Sequence, residues 1–412
     1  MNKAWPLLSR AATLQRSTVG RSTCVVAVVG SFGKTTTARA LVAALGLQQK
    51  LPRDNCMSHL AVAILRNTAG KRHAVLEVGI DLPGQMAAYA QMIRPDIVVV
   101  TSIGSEHNRS LGTIESVRFE KSRMVARLSS TGLAVLNGDD ANVVWMRDHT
   151  KARAVTFGLG PNCDVRATDL QLDWPDVTRF KLHTGNQQRT ARVRLFGQPA
   201  IYSVLAAVTV ALDQGIPLNE AVDQMEALTP TSERLELVPL ANGAFLLRDE
   251  FKSAAETVHA ALDLLAAIPA HRKLIVLGDV TTPVSSQGPI YRAIGERLAG
   301  IVASAVFVGE GFERYRPGAI AGGLARSGLA NAGRSVERAT ALIRDMLEPG
   351  DVVLIKGRSN QRLDRVALAL MGREVRCDLT FCQFLKTRCD ECSLLSRSDA
   401  RAMTRLVFPP RR

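Results

Sequence analysis

The sequence predicts an α/β protein built on parallel sheets, and three observations carry that prediction. Short apolar, β-branched runs recur along the chain at Val25–Val29, Ala74–Val78, Ile97–Thr101, Lys273–Leu277, Ala305–Val308 and Val352–Ile355. Strands covered by helices on both faces read as such runs, because neither side of the sheet meets water. Helical patterns such as Thr35–Ala44 alternate with them, as strand–helix–strand crossovers require. Composition agrees: 46% of the 412 residues are hydrophobic and 22% charged, which excludes fibrous and disordered classes.

Taken in order, the first 24 residues hold Lys3, Arg10, Arg16 and Arg21 and no acid. They read as a helix leading into the first strand, with an organelle presequence as the alternative. Between Asp164 and Arg194 the rhythm changes to period two, which predicts a small antiparallel insertion. A helix over Ser203–Gln214 follows, closed by Gly215. Thr229-Pro230-Thr231-Ser232 has the composition of a hinge, and a second alternating unit runs from there to Gly372. The expected division is 1–22 as an extension, 23–230 and 231–372 as two α/β domains, and 373–412 as a basic, cysteine-containing appendage.

The longest apolar runs, Cys24–Val29 and Val204–Leu212, fall far short of the ~18–20 residues of a membrane span. Seven cysteines, an odd number without a secretory signal, favour the reduced cytoplasm. The balance of 52 basic and 38 acidic residues gives +14, a surface that attracts anions. Nucleic acid is an unlikely partner, because aromatics are only 5% and no recognition module is present.

The strongest chemical signal is Gly30-Ser31-Phe32-Gly33-Lys34-Thr35-Thr36, which leaves the first strand and opens a helix. Backbone N–H groups at a helix start bind phosphate oxygens, and glycines allow their close approach. Lys34 can reach terminal phosphates, and the Thr35 hydroxyl can ligate Mg²⁺. Val28 stands where the longer form of this motif has its first glycine, so the loop is of the short type. Glu77 ends the strand Val75-Leu76-Glu77-Val78, a position suited to holding Mg²⁺ beside the phosphate loop. His107 follows the third strand on a loop at the same sheet edge, and Lys121 lies on the next helix, in Phe119-Glu120-Lys121-Ser122-Arg123. Taken alone, either could be structural.

Together these segments resemble the central domain of the Mur ligase superfamily. Gly30–Thr36 is similar to that family's phosphate loop, Glu77 in Leu-Glu-Val-Gly to its magnesium glutamate, and Pro95–His107 to the segment ending in its metal-linked histidine. Lys121 falls where many members carry a carbamylated lysine, and Leu136-Asn137-Gly138-Asp139-Asp140 resembles the strand-turn that follows. Past the hinge, Arg234-Leu235-Glu236, Ile275–Asp279 and Gly350–Gly357 resemble the family's C-terminal domain, and the likeness is strongest to the branch that adds D-alanyl-D-alanine.

The resemblance implies a P-loop, parallel-sheet ATPase domain followed by a Rossmann-like α/β domain. It implies an ATP- and Mg²⁺-dependent ligase that joins a carboxylate to an amine or amino acid through an acyl phosphate, releasing ADP and phosphate. Under it, Lys34, Lys121, His107 and Arg234 are catalytic. Gly30, Ser31, Gly33, Lys34, Thr35, Thr36 and Asp249 bind the nucleotide, and Thr35, Glu77, His107 and Lys121 hold metal. Lys356, Arg248 and Lys252 face substrate, with Arg234 and Lys356 reaching it only when the second domain closes.

Departures from the family pattern set further expectations. Gly197-Gln198-Pro199-Ala200 stands where related members have a His-Asn pair, and Arg248–Ala255 alters a signature that keeps Asp249. Arg123 replaces an expected glutamate, so part of the positive charge reads as a hint of an acidic substrate. Only 29 residues precede Gly30, too few for the family's sugar-nucleotide domain of ~50 residues or more, so a substrate without UDP is expected. The alternative is a catalytically silent relative that binds nucleotide as a partner or scaffold. In the tail, Cys377, Cys382, Cys389 and Cys392 could hold Zn²⁺ or stand as ordinary free thiols.

Overall fold

A computed structural model of the protein describes residues 4–105, 108–281, 287–380, 382, 384 and 387–400. The chain forms two compact units, Met1–Thr229 and Pro230–Arg412.

The first unit is built on eight strands: β1 (Cys24–Val29), β2 (His73–Glu77), β3 (Ile97–Val100), β4 (Leu133–Asn137), β5 (Arg153–Gly158), β6 (Val165–Asp173), β7 (Val177–Thr184) and β8 (Gln187–Val193). Their order in the sheet is β2-β1-β3-β4-β5-β6-β7-β8, with β1 to β6 paired in parallel and β6, β7 and β8 antiparallel. The period-two stretch therefore does form antiparallel strands. It is not a separate insertion, because β6 pairs with β5 and extends the same sheet.

Strand β1 shows why the pattern is apolar throughout. Val26 and Val28 pack into a core with helices Lys34–Ala44 and Gln198–Asp213, while Val25, Ala27 and Val29 pack against Met57–Asn67 and Gln85–Ile93 on the opposite face. Alternate side chains point to opposite faces, and here both faces are dry. The helix expected from Ser203 starts earlier, at Gln198, because Pro199 is tolerated in the first turn where its missing N–H has no intrahelical role.

The N-terminal stretch is a helix, Trp5–Ser17, built into this unit. The buried Arg16 donates to the carbonyls of Ile93 and Arg94, each at 2.9 Å, and pairs with Asp96 at 2.7 Å. Trp5 meets Tyr89 edge-on at 5.7 Å.

The second unit carries β9 (Glu236–Pro239), β10 (Phe245–Asp249), β11 (Lys273–Leu277), β12 (Ser304–Phe307), β13 (Leu329–Asn331) and β14 (Val352–Lys356), in the order β13-β12-β11-β14-β10-β9. Only β9 is antiparallel to its neighbour. After Gly372 described residues of the tail pack on the second unit. Val375, Cys389 and Leu395 pack on Leu368 of helix Asp364–Leu370.

Candidate functional site

Parallel pairing brings the functional segments to one edge of the first sheet. Val28 lies opposite both Glu77 and Val99, and Val29 opposite Val100, so the segments that follow β1, β2 and β3 leave the sheet together. This carboxyl edge is where open α/β sheets bind ligands.

The phosphate loop leaves β1 at Gly30, which has φ +147°. A Cβ there would lie 2.0 Å from the Thr101 hydroxyl oxygen, so this position excludes side chains. Gly33, at φ +81°, precedes helix Lys34–Ala44. The N–H of Ser31 donates to the Ser102 carbonyl at 2.8 Å, and that of Phe32 to the Ser102 hydroxyl at 2.9 Å. These bonds fix the loop on the segment after β3, and the first-turn N–H groups of a helix have no intrahelical partner. The Lys34 ammonium folds back on the carbonyls of Gly30 (2.9 Å) and Ser31 (3.1 Å), while Thr35 and Thr36 are half-buried. From helix Gln198–Asp213, Ser203 braces the phosphate-loop helix through the Thr37 hydroxyl at 3.0 Å.

Lys121 joins this loop from helix Ile114–Val125. It is 1% exposed, and its Nζ donates to the Ser31 hydroxyl at 2.9 Å. Burial, reinforced by the charge on Lys34 and opposed by Asp140, holds its pKa well below the lysine range. Such a site favours the uncharged amine over the ammonium. Asp140 accepts from the N–H of Ile103 at 2.8 Å and from that of Asn142 at 2.9 Å, which ties the segment after β3 to the turn after β4.

Glu77 is 7% exposed and accepts from Asn55 at 2.6 Å through one carboxylate oxygen. Asn55 is its one hydrogen-bond partner among the described residues, so the second oxygen remains a donor suited to a hard cation. With the Thr35 hydroxyl on the same sheet edge, the residues present fit Mg²⁺. His107 lies outside the described residues. Asn55 was missed by sequence reasoning, since it sits in a loop without a motif. Arg123 is drawn to Glu120 at 3.7 Å and to the Phe119 ring at 4.9 Å, so its charge is partly answered within its own helix.

At the position of the missing His-Asn pair the structure has an interlocked group. Gln198 donates to the Tyr202 hydroxyl at 3.0 Å, and that hydroxyl donates to Asp139 at 2.9 Å. Asp139 also accepts from the N–H groups of Leu159 and Gly160. The i, i+4 spacing of Gln198 and Tyr202 on a helix was the available sequence signal, but Asp139 comes from another strand end.

In the second unit, register places Asp249 beside Lys356, and the two form a buried ion pair at 2.8 Å. Burial raises the Asp249 pKa and lowers that of Lys356, against the attraction between them. Arg234 lies over the Phe251 ring at 4.2 Å, and the Lys252 carbonyl accepts from Lys356. Arg248, expected to face substrate, is enclosed by glutamates in this structure. It is 3% exposed, and its guanidinium is taken by Glu250 at 2.7 Å, Glu236 at 3.3 Å and Glu233 at 4.0 Å. The side chains of these three glutamates surround the extra cation, two of them buried and Glu236 half-buried.

Among the described residues no three His, Cys, Asp or Glu side chains stand in a metal-coordinating cluster, so the expected zinc in the tail finds no preformed ligand geometry. No helix among them is long and apolar enough to cross a membrane.

Comparison with known proteins identifies the family. Residues 28–211 match the Mur ligase middle domain and residues 233–359 the Mur ligase glutamate ligase domain. The chain is 30% identical over 373 residues to the UDP-N-acetylmuramoyl-tripeptide–D-alanyl-D-alanine ligase of Mycobacterium bovis, covering 84% of this chain and 73% of that one. It is 23% identical to the Bacillus subtilis enzyme of the same name, over 85% of this chain and 76% of the other. Among solved structures, MurF from Acinetobacter baumannii aligns with a TM-score of 0.79 at 22% identity, over 89% of this chain and 80% of that one. MurF ligase from Thermotoga maritima in complex with ADP also aligns at 0.79, with 20% identity, over 89% and 83%.

Proposed function

Because this chain belongs to the Mur ligase family, and is an ATP-dependent ligase that forms amide bonds, we propose that it works through the phosphate loop and the buried lysine beside it. The single observation that carries the assignment of roles is the contact of Lys121 with Ser31 inside the loop that Lys34 closes.

A carboxylate is a poor electrophile, so it must be activated before an amine can attack. The carboxylate oxygen attacks the γ-phosphorus of ATP and ADP leaves; the amine nitrogen then attacks the acyl carbon and phosphate leaves. The N–H groups at the start of helix Lys34–Ala44 hold the phosphates, and Lys34 exchanges its two carbonyl partners for phosphate oxygens as they arrive. The depressed pKa of Lys121 makes its amine available to CO₂, and the carbamate so formed replaces a repelling cation by an anionic ligand. Thr35 and Glu77, with carbamylated Lys121 and His107 as further ligands, would hold the Mg²⁺ that the family uses with ATP and that supplies neutralisation of phosphate charge. In the second unit, Asp249 is the ribose ligand we propose, with Lys356 and Arg234 as its charged neighbours.

The acid we assign is a peptide or amino-acid carboxylate and the amine an amino acid or dipeptide, with the reduced cytoplasm as the compartment, consistent with free thiols at all seven cysteines. The test is ADP and phosphate release by the purified protein against a panel of carboxylates and amines. The panel begins with the D-alanyl-D-alanine and UDP-N-acetylmuramoyl-tripeptide of the relatives' names. One ADP and one phosphate per amide are expected. AMP as product overturns the acyl-phosphate route.

A further inference from the structure

We propose that Cys377, Cys382, Cys389 and Cys392 form a structural metal site for Zn²⁺ in the second unit, an inference independent of the ligase reading.

The first support is convergence. The four cysteines are spread over sixteen residues of a segment with little regular structure, yet all four line one small cavity of about 10 Å³, which is room for a single ion or water. Cys389 opens a 3₁₀ turn that closes with the Cys392 N–H on the Cys389 carbonyl at 3.2 Å. The Leu395 carbonyl accepts from the N–H groups of Arg376 (2.8 Å) and Cys377 (3.0 Å), so the two ends of the segment are pinned together. A C-x₂-C turn faced by a second pair of thiols is the arrangement of tetrahedral Cys₄ zinc sites.

The second support is charge. Arg362 and Arg365 line the same cavity and are only 5% and 1% exposed. Arg365 reaches the Cys377 carbonyl at 2.6 Å and its sulfur at 3.4 Å; Arg362 lies against Cys382 and Cys389. Arg362 also donates to the Phe384 carbonyl and stands 3.9 Å from Asp364, Arg365 also donates to the Leu379 carbonyl, and the Arg362 Nε has no hydrogen-bond partner among the described residues. Zn²⁺ with four thiolates carries a net charge of −2, and N–H donors directed at its sulfurs are the usual outer support of such a centre. Binding would release the thiol protons to solvent and draw the sulfurs from the cavity wall onto the ion, since they do not stand at coordinating separations without it.

The experiment uses the full chain, purified without chelator from zinc-supplemented cells. Elemental analysis is expected to give about one zinc per chain, released in step with blocking of four thiols by a mercurial reagent. Cys392→Ser is expected to lose the zinc and Cys163→Ser to retain it. Arg365→Ala should weaken zinc binding about 10–100-fold in chelator competition. Should the cysteine variants fail to fold, Co²⁺ exchange of the unaltered protein decides the matter, because a tetrahedral thiolate site gives strong visible absorption. Trace zinc with all thiols freely reactive, iron in place of zinc, a disulfide among these four cysteines, or a colourless Co²⁺ form overturns the proposal.

Discussion

The ammonium of Lys121 donates to the hydroxyl of Ser31 across 2.9 Å, placing a second buried lysine against the loop that Lys34 already closes. Burial and the charge on Lys34 both disfavour the protonated form of Lys121, so a charge held there is costly for the folded protein. Lys121→Met should lower ligase turnover by about 10³-fold and, without bicarbonate, raise the urea midpoint. The folded-state pKa is depressed below the unfolded value of 10.5, so the penalty is full at low pH and fades as pH rises from the folded value towards the unfolded one. The stability gap between the variant and the parent should therefore shrink in alkali. Urea titrations across that range check the sign, and a gap that widens would contradict it.

Gly79 bears at one remove on Glu77, the carboxylate we propose for magnesium. A Cβ on it would lie 2.1 Å from the Asn55 side-chain oxygen, and Asn55 holds Glu77. Gly79→Ala should displace Asn55 and raise the Mg²⁺ concentration needed for half-maximal turnover several-fold, with a smaller change in KM for ATP. Rates measured over a Mg²⁺ series separate the two; equal effects on both would refute the positioning role.

The Asp249–Lys356 pair is buried, so breaking it should cost more than replacing it. Lys356→Ala leaves an unpaired carboxylate and is expected to lose about 3–5 kcal/mol of stability. The double change Asp249→Asn with Lys356→Met should recover most of that loss. A double-mutant cycle by chemical denaturation measures the coupling, and additive losses would show that the pair is not held together in solution.

Glu250 is pushed up to about 8 by burial and by the neighbouring carboxylates of Asp364 and Glu233, against the pull of Arg248. The folded state then holds a proton that the unfolded state has lost above its ordinary value of 4.5. Stability from this group is present below that value and drains away as pH rises towards about 8. Glu250→Gln should flatten that slope, as thermal unfolding over the same interval would reveal.

Much of this protein was legible in the sequence because local chemistry and strand periodicity coincide there. Runs such as Val25–Val29 could be read as strands since both sheet faces are dry, and Gly30–Thr36 could be read as a phosphate loop since the glycines, lysine and threonine are contiguous. The fate of Arg248 was not legible. Its three carboxylate partners sit at Glu233, Glu236 and Glu250, and only the antiparallel pairing of β9 with β10 and the turn before it gathers them around the guanidinium.

By itself, then, the sequence determined the α/β class and the contiguous glycine, lysine and threonine motif after the first strand, because these depend on residue type and short spacing, while Lys121 was singled out only by family resemblance. The tertiary structure alone decided that β6–β8 extend the first sheet, that Asn55 holds Glu77, that Asp139 receives Tyr202, and that two buried arginines face the four thiols. Those relationships join residues far apart in the chain, and whether a charge is answered by a ligand or by a neighbouring side chain depends on burial and distance, which only the folded chain sets.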